Sequence, residues 1–496
     1  MKSKAFAHLL LALVPLGTAF AGSVLVYRNC AWRMTDWKYH AGTTAPASQP
    51  EAWTRPDFDD SAWSVGKGAF GYGVPSRYGV TLREMKGRHS TLYLRTTFLV
   101  SDAAKFDRLL LDANYTGGFV AWVNGVRVAE HHAPPRLAHD AIATARRTTG
   151  AGSYESIELA NPASFLRNGE NTLAVQAFTA DRDGTEFYID VGLVSTRNLA
   201  HNRATLASSA GSGANKGKQF VIPANAVDAS QLSFYFSEPP APQWLQVDLG
   251  SNRTFDKARI HWWGDRQPRD YTVQVSRDAA TWSDVHRALN APKQARTDIT
   301  FTAQTARYVR LHMTTMPDDK NGLVLGGFEV YPPGTAFELT EFDSLATGRP
   351  VTASSESKRG SFHGDARMAV NGHGLSWWSS LPADPQWLAV DLGARQPINR
   401  VRLYLKENNK NFRIQISDDG RNWRDIAAHH RATTISGGDV KTIVDVHFNA
   451  EAIARHVRFF GTERDNPAHG YSIVELAVFR DREMFSAAKL SGVSQP

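Results

Sequence analysis

The amino-acid sequence predicts an all-β protein made of three β-sandwich domains in tandem. The length of 496 residues suits about three domains at roughly 150 residues each. Many short segments alternate apolar and polar residues, as half-buried strands do, and no long segment keeps a helical period. The composition is 42% hydrophobic and 21% charged. It is typical of a globular chain, which excludes a mostly disordered protein and a polytopic membrane protein.

Residues 1–21 are predicted to be a secretory signal peptide. Lys2 and Lys4 form a charged start, residues 9–16 form a short apolar run, and Ala19-Phe20-Ala21 is a small-residue cleavage site. The apolar run is too short to span a bilayer, and no later segment does so. We therefore expect a secreted or periplasmic protein without a transmembrane segment.

The net charge restricts the classes of binding partner, and the cysteine count decides whether a disulfide can stabilise the chain. Lys and Arg exceed Asp and Glu by 56 to 49, a net charge of +7. This mild excess is compatible with acidic polysaccharides or anionic surfaces. The absence of any Lys/Arg-rich run disfavours nucleic acid. Cys30 is the only cysteine, so no internal disulfide can form.

The first domain is predicted to span residues 22–196. Its strand candidates are Thr91–Phe98, Phe119–Val123 and Asn171–Gln176. The dipeptide Asn124-Gly125 after the second of these is a hairpin-turn signal.

The rest of the chain contains two copies of one domain, at residues 197–333 and 343–481, before a tail at 482–496. Three blocks recur in the same order: Pro242–Gly250 as Pro385–Gly393, Tyr271–Ser276 as Phe412–Ser417, and Ala306–Leu311 as Ala454–Phe459. Each block alternates apolar and polar residues, so both copies are predicted to be antiparallel β domains.

The second repeat carries a recognisable set of motifs: Ala353-Ser354-Ser355, Ala369-Val370-Asn371-Gly372, Trp378-Ser379-Ser380, Ile414–Gly420 and Gly470–Leu476. In these motifs it resembles discoidin domains, also called coagulation-factor C-type domains, whose fold is shared by family 32 carbohydrate-binding modules. The first repeat matches less fully. The resemblance implies jelly-roll sandwiches of about eight strands, with ligand-binding loops at one end.

The first domain is similar to the galactose-binding-like sandwiches attached to many secreted bacterial enzymes. The similarity rests on Trp53, Pro56–Trp63, Gly71-Tyr72-Gly73, Val123-Asn124-Gly125 and Asn168–Asn171. The predicted architecture is therefore three jelly-roll, galactose-binding-like domains in tandem.

The same resemblance implies a structural calcium ion. Its positions in the second repeat fall on Asn371, His373, Ser376 and Glu475. Calcium takes several oxygen ligands, many of them backbone carbonyls, and such a loop with a distant glutamate suits it. The alternative is a hydrogen-bonded loop closed by Glu475. In the first repeat Asp228 and Ser233 fit the pattern, but Gly327 stands where Glu475 does, which disfavours calcium there.

Ligand-binding candidates are aromatic and polar residues near the loop ends. Sugar rings stack on indole, and adjacent strand residues point to opposite faces. One of Trp262 and Trp263 is therefore expected in the core and the other exposed. Likewise Trp378 is predicted to be a core residue, while Trp377 faces the loop end. The further candidates are Arg266, Arg359, Phe362, His363, Asn408 and Asn411.

The resemblance implies a carbohydrate-binding fold but not a galactose site. Ser379 and Phe236 stand where many family 32 modules have a sugar-binding histidine. The leading hypothesis is a non-catalytic, multi-module protein that binds a poly- or oligosaccharide with avidity from its tandem modules. An alternative is an adhesion or assembly protein that binds another protein or an anionic surface.

A third alternative is a polysaccharide-degrading enzyme with an unrecognised site, whose long loop from His131 to Tyr154 lines a cleft. The sequence has no H-E-x-x-H and no G-x-S-x-G motif. His131 and His132 are adjacent and are expected to point apart on a strand, which disfavours metal chelation.

Overall fold

The structure is a computed structural model. It describes residues 36–480 except 74–78, 101, 107, 148–153, 212–221, 230–232, 264–265, 316–321, 338–343, 358–362, 373–375, 407–408 and 431–441. The predicted signal peptide, Cys30 and the tail at 482–496 lie outside the described residues.

The first domain is a sandwich of two sheets. Its strands are β1 (Asp36–Ala41), β2 (Ser64–Lys67), β3 (Phe70–Tyr72), β4 (Val80–Thr81), β5 (Thr91–Val100), β6 (Leu109–Tyr115), β7 (Gly118–Val123), β8 (Val126–His131), β9 (Glu155–Leu159), β10 (Gly169–Phe178) and β11 (Phe187–Val194). The sheet orders are β2-β1-β5-β10-β7-β8 and β4-β3-β11-β6-β9. One apolar core lies between them, because alternate residues of both sheets point inward. The predicted turn at Asn124-Gly125 joins β7 to β8, and both residues have positive φ.

The outer face of the six-stranded sheet carries a second apolar cluster. Trp53, Trp63 and Trp122 are its largest members, and Leu137 from the loop after β8 packs against it. The described part of that loop therefore covers an aromatic cluster.

The expected orientation of the two adjacent histidines is wrong. β8 ends at His131, and His132 has a φ of 48°, so the alternation of a strand stops between them. Their rings lie 6.0 and 6.1 Å from that of Tyr115 and 6.5 Å from each other.

The second and third domains have matching strand orders. The second domain contains β12 (Ala204–Ala207), β13 (Tyr235–Phe236), β14 (Gln243–Trp262), β15 (Tyr271–Ser276), β16 (Ser283–Ala288), β17 (Arg296–Met313) and β18 (Val324–Tyr331). The third contains β19 (Val351–Ala353), β20 (His363–Gly364), β21 (Trp377–Ser379), β22 (Gln386–Leu405), β23 (Asn411–Ser417), β24 (Arg424–His430), β25 (Thr442–Glu463) and β26 (Ser472–Phe479). The third-domain order β21-β26-β22-β25-β23-β24 repeats the second-domain order β13-β18-β14-β17-β15-β16.

Two long paired strands build both layers of each repeat. In the second domain, β14 and β17 pair along their length, with an irregularity after Asp248 and a positive φ at Gly250. Val247 before the bend and Ile260 after it both enter the same core. The pair thus bends around that core, as bulged strands do.

The predicted all-β fold is confirmed. Among the described residues, the helices are 3-10 segments of three or four residues: Ala52–Thr54, Arg83–Met85, Ala103–Lys105, Pro162–Ser164, Pro223–Ala226 and Ala366–Ala369. A search of the same residues finds no helix with the length and apolar character needed to cross a membrane.

A buried polar joint connects the first and second domains. His201 Nε2 lies 3.0 Å from Asp112 Oδ2, and Asn202 donates to the hydroxyl of Ser156. His201 is 2% exposed and Asp112 is fully buried. Because a buried charge is costly unless paired, this contact fixes how the two domains meet.

Candidate functional site

The loop end of each repeat is built around a short strand that follows the opening loop. In the second domain this is β13, where Phe236 pairs with Val324 of β18. In the third it is β21, where Ser379 pairs with Ser472 of β26. The same register places two apolar side chains in one domain where the other has two hydroxyls. The two repeats therefore present different chemistry at equivalent positions.

In the third domain the two hydroxyls form the centre of a polar group. Ser379 Oγ and Ser472 Oγ lie 3.1 Å apart. The Asn409 side-chain amide donates to the Ser472 carbonyl at 3.3 Å, and the Ser357 N–H donates to the Ser379 carbonyl at 2.7 Å. We call Ser357, Ser379, Asn409 and Ser472 the hydroxyl site. It joins the opening loop and the loop before β23 to the same strand pair.

Of the five predicted ligand residues in the opening loop and near the start of β23, the structure describes His363 and Asn411. Three lie outside the described residues: Arg359, Phe362 and Asn408. His363 pairs through its backbone with Trp377 in a parallel bridge. The Asn411 side chain donates to Glu463, so it is already engaged in a polar contact.

The two adjacent tryptophans of the third domain occupy opposite faces. Trp378 is in the core, as predicted, and its indole N–H donates to the Ser355 carbonyl at 3.0 Å. Trp377 is half-buried on the outer face of the sheet, where it packs against Tyr404 and its neighbours. Lys406 Nζ lies 3.1 Å from the Trp377 ring centroid. Trp377 is therefore engaged in a cation–π contact, not presented as the open stacking ring that the sequence suggested.

In the second domain the loop end is aromatic. Trp262 is buried, and its indole N–H donates to Thr297 at 2.8 Å. Trp263 is half-buried and stacks on Phe234, with ring centroids 6.1 Å apart and an interplanar angle of 23°. The Arg266 guanidinium lies 5.9 Å from the Phe236 ring centroid. We call Phe234, Phe236, Trp263 and Arg266 the aromatic patch.

Sequence reasoning found Trp263 and Arg266 of the aromatic patch, placed Phe236 only at the position of a sugar-binding histidine, and missed Phe234. The signal was available, because Phe234 and Phe236 flank the buried Tyr235 and must point away from it on a strand. Phe234 corresponds to Trp377, and Trp263 corresponds to Lys406. At equivalent positions, the second domain therefore has two stacked rings, and the third domain has a lysine over a tryptophan ring.

Three predicted calcium positions of the third domain are brought together. Glu475 is 2% exposed, and its Oε2 accepts the Gly372 N–H at 3.1 Å. The Asn371 side-chain amide donates to Ser376 Oγ at 2.7 Å. His373 lies outside the described residues. One buried carboxylate and two neutral side chains around a tight loop fit a calcium site completed by backbone carbonyls, and they equally fit a loop closed by hydrogen bonds.

The equivalent place in the second domain differs. The Ser233 hydroxyl donates to Asp228 at 2.6 Å. A Cβ atom at Gly327 would lie only 2.8 Å from Cδ2 of His261, so the His261 ring fills the room of a carboxylate side chain. His261 itself pairs with the buried Glu329 at 2.9 Å.

The loops beside the hydroxyl site are held together by one aspartate. Asp384 accepts from Arg464 at 3.2 Å and from the Tyr471 hydroxyl. Burial and the nearby Asp384 carboxylate raise the pKa of Tyr471 above its usual range. Tyr471 therefore stays a neutral donor.

Within the described part of the chain, no three His, Cys, Asp or Glu side chains gather in a way that could hold a metal ion.

Comparison with known proteins agrees with this architecture. Residues 350–476 match the F5/8 type C domain model, and residues 225–311 match the model of the NedA-like, galactose-binding domain. None of the curated proteins matches the chain.

Several solved modules are similar to one domain of the chain. Chitosan-binding module 1 from a chitosanase/glucanase of Paenibacillus sp. IK-5 is 36% identical, with 27% of this chain and 99% of the module covered and a TM-score of 0.25. Module 2 of the same enzyme, in complex with chitotriose, is 31% identical over 27% of this chain and 99% of the module, with a TM-score of 0.24. CpGH89CBM32-5 from Clostridium perfringens, in complex with GalNAc-β-1,3-galactose, is 26% identical, with 28% of this chain and 100% of the module covered and a TM-score of 0.24.

The repeated blocks, the shared strand order and the two family matches lead to one conclusion. The chain belongs to the F5/8 type C, or discoidin-like, family and carries two such domains in tandem behind a further β-sandwich.

Proposed function

We propose that this protein is a non-catalytic carbohydrate-binding protein that holds a poly- or oligosaccharide at the loop ends of its second and third domains. The observation that carries the proposal is the hydroxyl site of the third domain. A hydroxyl group both donates and accepts a hydrogen bond, and so does each sugar hydroxyl. Two adjacent serines beside an asparagine, at the ligand-binding end of such a domain, suit a sugar ring.

The second domain would contribute by a different contact. Trp263 and Phe236 offer half-buried rings on which the C–H face of a pyranose can stack, and Arg266 beside them can donate to hydroxyls. One module that hydrogen-bonds and one that stacks can engage separate segments of one polysaccharide. Linking them raises the overall affinity through effective concentration, without any new contact.

The internal repeat supplies the sharpest test of the proposal. Ser379→Phe places in the third domain the residue that the second domain has at Phe236. We expect this variant to lose affinity for the best ligand of a neutral, amino and acidic oligosaccharide panel by roughly tenfold, because hydrogen bonds to the site are lost. Thr352→Val, an exposed change on β19 of the same domain, is the matched control. Equal binding by Ser379→Phe and the parent would refute a role for the hydroxyl site.

Calcium is proposed as a structural ion of the third domain. Asn371, Ser376 and Glu475 would supply side-chain oxygens, and the ion would fix the loop by its positive charge. Binding to the folded state alone raises the melting temperature by mass action. We expect such a rise with calcium, its reversal by a chelator, and its loss in Glu475→Ala. Asp425→Asn, an exposed carboxylate in the same domain, should keep it; no rise in the parent would favour the hydrogen-bonded loop.

Export from the cytoplasm is proposed from the predicted signal peptide. Cleavage after Ala21 would leave a mature chain that begins at Gly22. N-terminal sequencing of the protein recovered from outside the cytoplasm tests this. A protein that keeps Met1 and stays with the cytoplasmic fraction would contradict it.

A further inference from the structure

Three arginines converge on one carboxylate where the first domain meets the second. Arg108 Nε, Arg203 NH2 and Arg253 NH2 lie 3.7, 3.7 and 3.4 Å from Glu158 Oε2. These distances are longer than the usual charge-assisted hydrogen bond. A single negative charge therefore faces three positive charges at this joint.

The other groups nearby do not remove the excess. Arg108 already donates to the carbonyls of Thr196 and Asn198, at 2.8 and 3.1 Å. Asp248, whose charge also acts on Arg203, is held by the two nitrogens of Arg307, both at 2.8 Å, so Arg307 already neutralises most of that charge. Arg108 is thus held by carbonyl acceptors, whereas Arg203 and Arg253 each keep an Nε atom with no hydrogen-bond partner among the described residues.

The guanidinium groups of Arg203 and Arg253 are close to each other and incompletely bonded. Burial, and then the charge of Arg253, lower the pKa of Arg203. Both Nε atoms are buried and, within the described residues, neither has a hydrogen-bond partner. The side chains are still 22% and 38% exposed, and Glu158 is 40% exposed. The cluster is therefore in contact with solvent.

The third domain shows that such a cluster is not a general feature of the fold. Arg349 lies against Gly393 as Arg203 lies against Gly250, with guanidinium nitrogens 3.1 and 3.4 Å from a Cβ built on each glycine. The position of Arg253, opposite Ala306, is taken by Gln396, opposite Ala454. The second cation is therefore particular to the domain that meets the first sandwich.

We propose that Arg203 and Arg253 form an oxyanion-binding site at the joint between the first and second domains, whose ligand is a carboxylate or sulfate group of an acidic saccharide. A planar carboxylate or a sulfate accepts two or more bonds from forked guanidinium groups, which Glu158 alone does not satisfy. The site lies apart from the hydroxyl site and the aromatic patch and uses different residues. It can exist whether or not those two bind sugar.

The test uses the full mature chain and two probes, inorganic sulfate and an oligogalacturonate, with a neutral oligosaccharide of equal length as reference. We expect saturable binding of both anions by calorimetry. Arg253→Gln, which copies Gln396, should weaken it about tenfold, as the loss of a charged hydrogen bond does. Glu158→Gln should strengthen it, because the competing carboxylate is removed. Arg349→Gln is the matched control and should bind both anions as the parent does.

The outcomes separate this site from the carbohydrate-binding proposal. Anion binding that Arg253→Gln weakens and Ser379→Phe leaves unchanged supports the joint site, whatever the neutral panel shows. Stronger binding of oligogalacturonate than of sulfate identifies the acidic saccharide as the source of the oxyanion, whereas equal binding limits the ligand to a small free oxyanion and overturns the saccharide assignment. No saturable binding of either anion, or equal losses in Arg253→Gln and Arg349→Gln, would overturn the site itself.

Discussion

Replacing Trp378 by alanine should unfold the third domain far more readily than replacing its neighbour Trp377. The two residues are adjacent and chemically identical, so any difference in stability between the two variants reflects the surroundings of each side chain. Trp378 is fully buried, donates to the Ser355 carbonyl and packs edge-on against Phe459 at 6.5 Å. Trp377 is half-buried beneath Lys406.

The magnitudes follow from these contacts. Burying an indole removes about 200 Å² from water, which at about 25 cal/mol per Å² is about 5 kcal/mol, an upper value because unfolded chains are partly compact. Large core truncations cost about 3–5 kcal/mol, in agreement. Trp377→Ala loses part of its buried area and a cation–π contact of about 0.5–1 kcal/mol, so about 1–2 kcal/mol is expected.

Hydrogen exchange of the intact chain measures these losses of stability for the third domain separately from the other two. Amides of β22 report the opening of the third domain, and each 1.4 kcal/mol, roughly, is tenfold in their exchange rate. We expect more than 100-fold faster exchange in Trp378→Ala and about tenfold in Trp377→Ala. If Trp378→Ala does not fold, Trp378→Phe replaces it, because phenylalanine keeps most of the ring contact. Its exchange rate should lie between the rates expected for Trp377→Ala and Trp378→Ala. Equal exchange rates in the two alanine variants would refute the assigned core.

Three further predictions concern single contacts. Asp391→Asn should flatten the loss of stability between about pH 4 and pH 2 in acid titrations of the melting temperature: hydrogen bonds from Arg455 lower the pKa of Asp391 to about 2, so its contribution is present above its ordinary pKa and lost as pH falls through the folded value. Gly327→Ala should destabilise the second domain by about 1–3 kcal/mol in denaturant titrations, because the new methyl would meet the His261 ring at 2.8 Å; an unchanged midpoint would contradict this. His201→Ala should cost about 1–3 kcal/mol at the domain joint, because buried Asp112 loses its contact with His201 while Ser156 still donates to its other oxygen, and limited proteolysis near residue 200 should accelerate; unchanged cleavage would refute it.

Strand alternation predicted which residues enter the core but not what lies over the others. It placed Trp378 inside correctly, because a period of two leaves one of two adjacent residues on each face. It could not show that Lys406, some thirty residues later, covers Trp377, since that contact depends on the register between β21, β26 and β22. The same limit explains the missed stack of Trp263 on Phe234.

Local exceptions to strand geometry defeated the prediction for His131 and His132. A left-handed φ at His132 ends the alternation and turns both rings towards Tyr115. The contact between Asp112 and His201 could not be predicted from the sequence either, because the two residues lie in different domains. Internal repeats, by contrast, were read correctly from the chain, since they need no knowledge of tertiary contacts.

The most direct test of carbohydrate binding at the hydroxyl site is calorimetric titration of the mature chain with the best oligosaccharide of the panel, for the parent, Ser379→Phe and Thr352→Val side by side. We expect saturable binding to the parent and to Thr352→Val, and roughly tenfold weaker binding to Ser379→Phe. If no oligosaccharide binds the parent, or if Ser379→Phe binds as tightly as the parent, then carbohydrate binding at the hydroxyl site is contradicted, and in the first case an adhesion role becomes the better explanation.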